Sequence, residues 1–426
     1  MACEFEFSTF GERFTRLTGA LELMDDLGNA LGSDDEAYML GGGNPAKIPA
    51  VQALLRQRLA EIASNEREFE RMVADYAHPR GEARFRSALA KLLRDEFGWP
   101  LSADNIAITG GSQTAFFLLF NLFAGECSDG STKRVLLPVA PEYVGYSDVG
   151  LRAGLVTARR PSIELLEDNY FKYHLRLDAV ELDESIGALC VSRPTNPTGN
   201  VLTDAEMLEL EKLCAAQSIP LIVDNAYGAP FPNIIFTAAE PRWNDGIIFC
   251  MSLSKLGLPG VRTGIVVADE RIVDAIARMT AVMSLAVGSV GPVLAQSFVE
   301  SREIIEIGRR EIKPFYAARA EQAVLLLQRE LAGIPHRIHK PEGAIFLWLW
   351  LPDLPIPSAE LYRRLKTQSV YVLSGHHFFG GLERAWRHRD ECLRISYAQD
   401  SRAVEYGIRL IAQEVRRAYR DSGSRK

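Results

Sequence analysis

The sequence predicts an α/β protein. Its larger unit holds a mostly parallel seven-stranded sheet covered by helices, and a smaller α+β unit joins the N-terminal segment to the C-terminal third. Three observations carry this reading. Short apolar runs alternate with amphipathic stretches through the middle of the chain, as in a sheet whose crossovers are helices. The runs are apolar at nearly every position, as strands covered on both faces are. After Ala268 the pattern changes to long charged helices and then short strands, and 426 residues exceed one hydrophobic core. Residues 1–60 and 301–426 are assigned to the small unit and 61–300 to the large one.

The strands of the large unit are expected at Ile106–Thr109, Arg134–Pro138, Leu155–Ala158, Ala188–Ser192, Leu221–Asp224, Ile247–Met251 and Thr263–Ala268. Gly81–Phe97 reads as an amphipathic helix ended by Gly98, since glycine tolerates the left-handed C-cap. Thr203 with Glu206 three residues on is a capping box opening a helix to about Gln217. Gly111–Ala124 is apolar almost all round and should be buried. Charged helices through roughly 270–333 are expected to break at Gly291-Pro292 and Lys313-Pro314. Strands follow at 336–339, 344–350, 370–373 and 392–397, then a closing helix at about 400–420 and a disordered tail at Asp421–Lys426.

Composition excludes several classes. With 55 acidic against 48 basic residues the net charge is −7, so neither nucleic acid nor an anionic membrane surface is expected as a partner. Ala344–Leu351, the longest apolar run, is far too short to span a bilayer. Glu4, Glu6, Glu12 and Arg13 interrupt the N-terminus, so no signal peptide is expected. The six cysteines show no Cys-x-x-Cys pair. Cys190 and Cys250 lie in apolar runs and read as free thiols, which points to the cytoplasm. The histidines have no metal-ligand spacing, and the one adjacent pair, His376-His377, reads as a surface loop. No metal is expected.

Chemistry concentrates where apolar runs end, the place α/β sheets put ligands. Ser252-Leu253-Ser254-Lys255, with Gly257, Gly260, Arg262 and Gly264 after it, follows the run Ile247–Met251. An amine that forms an imine with a carbonyl cofactor needs such company: hydroxyls and an Arg fork for a phosphate, glycines for close approach. Taken alone, the run also fits a solvated lysine. Asp224 ends a second apolar run; a carboxylate there is costly unless paired, and it suits either a helix cap or a partner for a protonated pyridine nitrogen. Tyr227, three residues on, could reach a ring oxygen or pack under a loop. Asn196, in the rigid turn Pro194–Asn200, could donate to the same oxygen, and its bond to Pro197 is a candidate for cis. Gly111, Ser112 and Gln113 open the buried helix, where free N–H groups make an anion site. Tyr143 offers a face for a heteroaromatic ring or for the core. Arg394, in the alternating strand Cys392–Ala398, either faces out or clamps a carboxylate in two-pronged fashion. Gly41-Gly42-Gly43-Asn44-Pro45 lets backbone approach a substrate, or is simply a flexible turn.

Each element is ambiguous, but their joint order is not. The set, from Gly41-Gly42-Gly43-Asn44-Pro45 through Ala140–Tyr146, Val191–Asn200, Asp224–Gly228, Met251–Gly260 and His339–Trp350 to Arg394, resembles the fold-type I, class I aminotransferases, which use pyridoxal 5′-phosphate. The resemblance implies that Lys255 holds the cofactor covalently and shuttles a proton from the substrate Cα. It implies Asp224 on the pyridine nitrogen, Asn196 and Tyr227 on the ring oxygen, and Tyr143 on the ring face. The phosphate would go to Gly111, Ser112, Gln113, Ser252 and Arg262, and the substrate to Arg394, Gly43 and Asn196. Arg262 lies seven residues after the lysine, where many relatives have eight. Tyr76, in Tyr76-Ala77-His78-Pro79-Arg80-Gly81, matches a tyrosine given across a homodimer interface to the neighbour's phosphate. Leu40–Ala46 and Pro341–Trp350 point within the family to exchange between L-valine and pyruvate. Another aliphatic or aromatic donor, or a lyase on the same cofactor, stays open, as does a non-catalytic cofactor-binding regulator, against which the absence of a basic helix pair before residue 40 speaks.

Overall fold

The computed structural model describes residues 6–16, 18–19, 21–22, 24–25 and 37–423. Glu4, Cys3 and residues 424–426 of the expected tail lie outside the described residues. The closing helix, Ser401–Gly423, runs three residues further than expected.

In chain order the strands are β1 (Tyr38–Met39), β2 (Ile106–Thr109), β3 (Gly125–Glu126), β4 (Thr132–Leu137), β5 (Val156–Ala158), β6 (Ser162–Leu165), β7 (Tyr170–His174) and β8 (Ile186–Ser192). Then come β9 (Leu221–Asp224), β10 (Ile247–Ser252), β11 (Gly264–Val267), β12 (Arg337–His339), β13 (Phe346–Trp350), β14 (Val370–Tyr371), β15 (Leu373–Ser374) and β16 (Cys392–Ser396). The central sheet runs β2-β11-β10-β9-β8-β4, with β5 and the two-residue β3 both pairing with β4, which makes eight strands rather than seven. All seven expected strands are present, with ends differing by one or two residues. The eighth had no apolar run to announce it. The core ladder β10-β9-β8-β4-β5 is parallel, while β11 is antiparallel to both neighbours. As the continuous apolarity required, β2, β8, β9, β10 and β11 are buried along their whole length.

The helix Ser112–Phe123 packs under this sheet and buries Phe116, Leu118, Leu119 and Phe120. Each such side chain contributes about 1.5–3 kcal/mol on leaving water. The helix Ala83–Phe97 ends on Gly98 at φ 69°, and the Thr203–Glu206 capping box opens Asp204–Ala216. Gly291-Pro292 does not break a helix; it lies in the first turn of Val290–Glu300, where proline loses no intrahelical bond. The interruption falls at residues 285–289 instead. Lys313-Pro314 likewise opens Lys313–Glu330, directly after a π-helical turn at Gly308–Ile312.

A second sheet has the order β15-β16-β13-β12-β7-β6. Its C-terminal strands were expected, but the hairpin β6–β7 was not. Residues 162–174 were assigned to the large unit, yet β7 pairs in parallel with β12, Ile338 beside Tyr170 and His339 beside Phe171. The hairpin therefore carries the small sheet into the middle of the large unit's sequence. The N-terminal segment lies beside it: β1 pairs with β14 in a separate two-stranded sheet, and Ser396 N–H of β16 donates to Leu40 O at 2.7 Å. That bond places the Gly41–Gly43 turn beside β16.

Candidate active site

The polar residues singled out in the sequence converge at the carboxyl ends of neighbouring strands. Asp224, last in β9, is in register with Ser192 of β8 and Cys250 of β10. A cavity of about 160 Å³ opens there, lined by Ser112, Gln113, Tyr143, Asn196, Asp224 and Tyr227, and by Ser252, Lys255 and Arg262. Phe116, Ala226 and Ser254 complete its wall.

Among the described residues Asp224 has no ion-pair partner. Its Oδ2 accepts from Tyr146 OH at 2.7 Å and its Oδ1 from Ala226 N–H at 3.0 Å. Burial pushes its pKa up to about 6, against those two donors and the charge of Lys255. Tyr146 lies three residues after Tyr143, on the short turn Val144–Tyr146, so one turn brings both Tyr143 and the acid's donor to the cavity. The sequence contained Tyr146 without marking it. The available signal was its place at the end of the stretch Ala140–Tyr146 that carries the resemblance.

Lys255 follows β10 on a single 3₁₀ turn, Ser254–Leu256, and its ammonium donates to Gly43 O. The opposing influences on this amine resolve downward. Burial, then the charges of Arg394 and Arg262, outweigh Asp224 and bring its pKa to about 8. Arg394 settles its own ambiguity: it faces inward at 1% exposure. Its guanidinium lies 4.0 Å from the Phe346 ring centre and 5.1 Å from that of Phe378. Such a desolvated cation–π pair is worth roughly 2 kcal/mol. Arg394 donates to Asn196 Oδ1 at 2.7 Å and to Gly41 O at 2.5 Å. Asn196 thus reaches Arg394 through its oxygen, with its amide nitrogen left for the cavity. The Asn196-Pro197 bond is not among the cis peptides, which in this turn is Arg193-Pro194. Gly199 N–H to Thr195 O and Thr195 N–H to Asn200 O, both 2.8 Å, close the turn around Asn196.

The third corner is built for an anion. Gly111 caps the buried helix at φ 95°, and a Cβ there would stand 2.5 Å from the Arg262 guanidinium. Arg262 itself sits in the left-handed region at φ 47°. The first N–H groups of the helix have no intrahelical acceptor. Ser252 Oγ accepts from Ser254 N–H at 3.0 Å and lies 3.0 Å from Ser254 Oγ, which makes Ser254 a hydroxyl the sequence reading left without a role. Gln113 donates to Gly145 O at 3.2 Å while its Oε1 is buried without a protein partner, as is Arg394 Nε.

Tyr76 is not part of this cavity. It lies 86% exposed, after the helix Glu66–Val73. His376-His377 is a half-buried 3₁₀ turn rather than a surface loop, since His376 bonds Ser374 OH and stacks on His377 beside buried Phe378. Cys190 and Cys250 are buried free thiols. Among the described residues no His, Cys, Asp or Glu cluster could hold a metal ion, and no helix is long and apolar enough to cross a membrane.

An anion corner, a buried carboxylate, an aromatic platform and an amine of lowered pKa fit a flat aldehyde-bearing pyridine ring with a phosphate arm. The chain belongs to the class I and II aminotransferases, whose family model matches residues 40–411. It is a transaminase that uses pyridoxal 5′-phosphate. Its similarities narrow further. The chain is 46% identical to valine–pyruvate aminotransferase of Escherichia coli K12, over 98% of this chain and 99% of that one. The crystal structure of valine–pyruvate aminotransferase from Salmonella typhimurium LT2 superposes with a TM-score of 0.87, at 46% identity, covering 94% and 99% of the two chains. A Psychrobacter arcticum 273-4 structure reaches 0.95 at 44% identity, covering 98% and 99%.

Proposed function

We propose that the chain moves an amino group between L-valine and pyruvate, giving 3-methyl-2-oxobutanoate and L-alanine. The observation that carries this is full-length identity of 46% with an enzyme named for that pair. The cofactor, when bound, supplies an electron sink for the pair left on the substrate Cα. The rest falls to the chain. Arg394 holds the α-carboxylate by its free donors, walled by Phe346 and Phe378. Lys255, neutral at modest cost because its pKa is about 8, would take the proton from the substrate Cα and deliver it, on the same face, to the cofactor carbon C4′. Asp224, fixed by Tyr146, holds a positive charge at the ring nitrogen. Asn196 and Tyr227 take the ring oxygen, and Tyr143 covers the ring. Gly111, Ser112, Gln113, Ser252 and Arg262 take the phosphate. Gly43, with no side chain beside Lys255, leaves room for the substrate.

Two copies acting together belong to the same reading. Tyr76 is exposed, as are Val282 (89%), Met283 and Leu285, an apolar surface suited to a second copy whose cavity Tyr76 would complete. The cytoplasm is the compartment proposed, on the strength of the five free cysteines among the described residues.

The test is spectroscopic. Wild-type protein loaded with pyridoxal phosphate should show a visible band that L-valine bleaches and pyruvate restores, and Lys255→Ala should not. Bleaching by alanine but not by valine would keep the transaminase and remove the substrate pair. Turnover of valine without any keto acid would point to a lyase.

A further inference from the structure

Outside the cavity lies a buried ion pair that the reaction does not use. Lys172, on β7, and Glu342, before β13, are 9% and 5% exposed at their side chains. Lys172 Nζ and Glu342 Oε2 bond each other, and both also hold the peptide groups of Val201. Lys172 donates to Val201 O at 3.0 Å, and Val201 N–H donates to Glu342 Oε2 at 3.1 Å. One residue's donor and acceptor are thus gripped from both sides by a side-chain pair that comes from the second sheet.

Val201 follows directly on Asn200, whose carbonyl closes the turn around Asn196. The same turn is pressed against the Glu342 loop. A Cβ on Gly199 would lie 2.6 Å from Gly343 O, and one on Gly343 would lie 2.5 Å from Pro194. The loop is itself anchored, because Phe236 N–H donates to Glu342 O and Ala344 N–H to Ile234 O. Asn196 in turn accepts from Arg394, 198 positions away on the second sheet. The ion pair and the Asn196–Arg394 bond are therefore two rivets between the same turn and the same sheet.

We propose that Lys172 and Glu342 are positioning residues for Asn196, and through it for Arg394. This rests on the reading that Asn196 and Arg394 face the cofactor and the substrate carboxylate. Removing the pair whole separates its geometric role from the penalty of an unpaired charge, which halving it would leave.

The decisive protein is Lys172→Met/Glu342→Met. It should fold but melt below wild type, since Val201 loses both side-chain partners, while its equilibrium affinity for pyridoxal phosphate alone, read by fluorescence titration, falls about tenfold. KM for the amino donor should rise by about the same factor with kcat changed less. In an Asn196→Ala background the double substitution should add nothing further to either effect. Unchanged affinity and KM in a folded double variant would overturn the proposal, and so would fully additive effects with Asn196→Ala. Should the double variant not fold, Glu342→Gln is compared with Glu342→Met. The glutamine keeps an acceptor for both Val201 N–H and Lys172 and should hold affinity closer to wild type than the methionine does; equal behaviour of the two would overturn the proposal. Failure of the valine–pyruvate reading would appear separately, as wild type that valine does not bleach.

Discussion

A lysine that must accept a proton cannot stay an ammonium, and Lys255 escapes that state by position. Its amine is buried, Arg394 and Arg262 repel a third positive charge, and a single carboxylate does not compensate. Covalent capture of added pyridoxal phosphate should therefore accelerate with pH and level off above about 8. A plateau reached only near an ordinary lysine value would contradict the arrangement. Glu142, one residue before Tyr143, shows the complementary case. Its carboxyl is buried, accepts from Ser192 N–H at 2.9 Å and shares a second bond with Ser192 Oγ. Burial, helped by Asp224 nearby, raises its pKa from 4.5 to about 8. A raised acid adds stability that is complete below about 4.5 and is lost as pH climbs through about 8. Glu142→Gln, which keeps both bonds to Ser192, should gain melting temperature relative to wild type across that window and hold a constant margin above it. A margin that does not grow with pH would show the carboxyl to be ionised throughout.

At the scale of elements, the site depends on strands ending together and on one helix starting among them. Two glycines make this possible for opposite reasons. At Gly187, in β8, a Cβ would lie 1.8 Å from Phe123 O, the last residue of the buried helix. Gly187→Ala should cost about 1–3 kcal/mol by forcing strand and helix apart, visible as a lower denaturation midpoint. At Gly111 the constraint is functional. Both its φ of 95° and the nearby Arg262 guanidinium exclude a side chain. Gly111→Ala should weaken affinity for pyridoxal phosphate and for inorganic phosphate about tenfold or more, with the melting temperature moved much less. Loss of both in parallel would make Gly111 a folding residue only.

For the whole molecule, the second sheet completes a site that the first sheet begins. It brings Arg394 on β16, walls it with Phe346 of β13 and Phe378, and reaches back through the hairpin β6–β7 to hold the Asn196 turn. The proposed second copy would extend the same logic. Val282→Asp, at an already exposed position, should lower the sedimentation mass from two chains to one, and Tyr76→Ala should lower cofactor affinity without touching its own cavity. A wild-type protein that sediments as a single chain would remove the shared site.

Much of this was legible in the chain. Apolar runs announced the strands, because strands covered on both faces must be apolar throughout, and the polar residues just past them, from Thr109 to Arg262, had to meet at one edge once the strands lay parallel. Local chemistry likewise announced Gly98 as a helix end and Thr203–Glu206 as a helix start. What the chain could not disclose were the pairings between distant segments. Tyr146 with Asp224 spans 78 positions, Lys172 with Glu342 170, and Arg394 with Asn196 198. The hairpin at 162–174 was missed because a half-exposed antiparallel pair carries no continuous apolar run, and its partners lie more than 160 residues away. The sequence by itself determined the strands and that their ends would collect the polar residues just past them, since hydrophobic patterning is local. Only the tertiary structure decided which way Arg394 faces and which way the Lys255 pKa moves, because burial and Coulomb's law depend on distances in space.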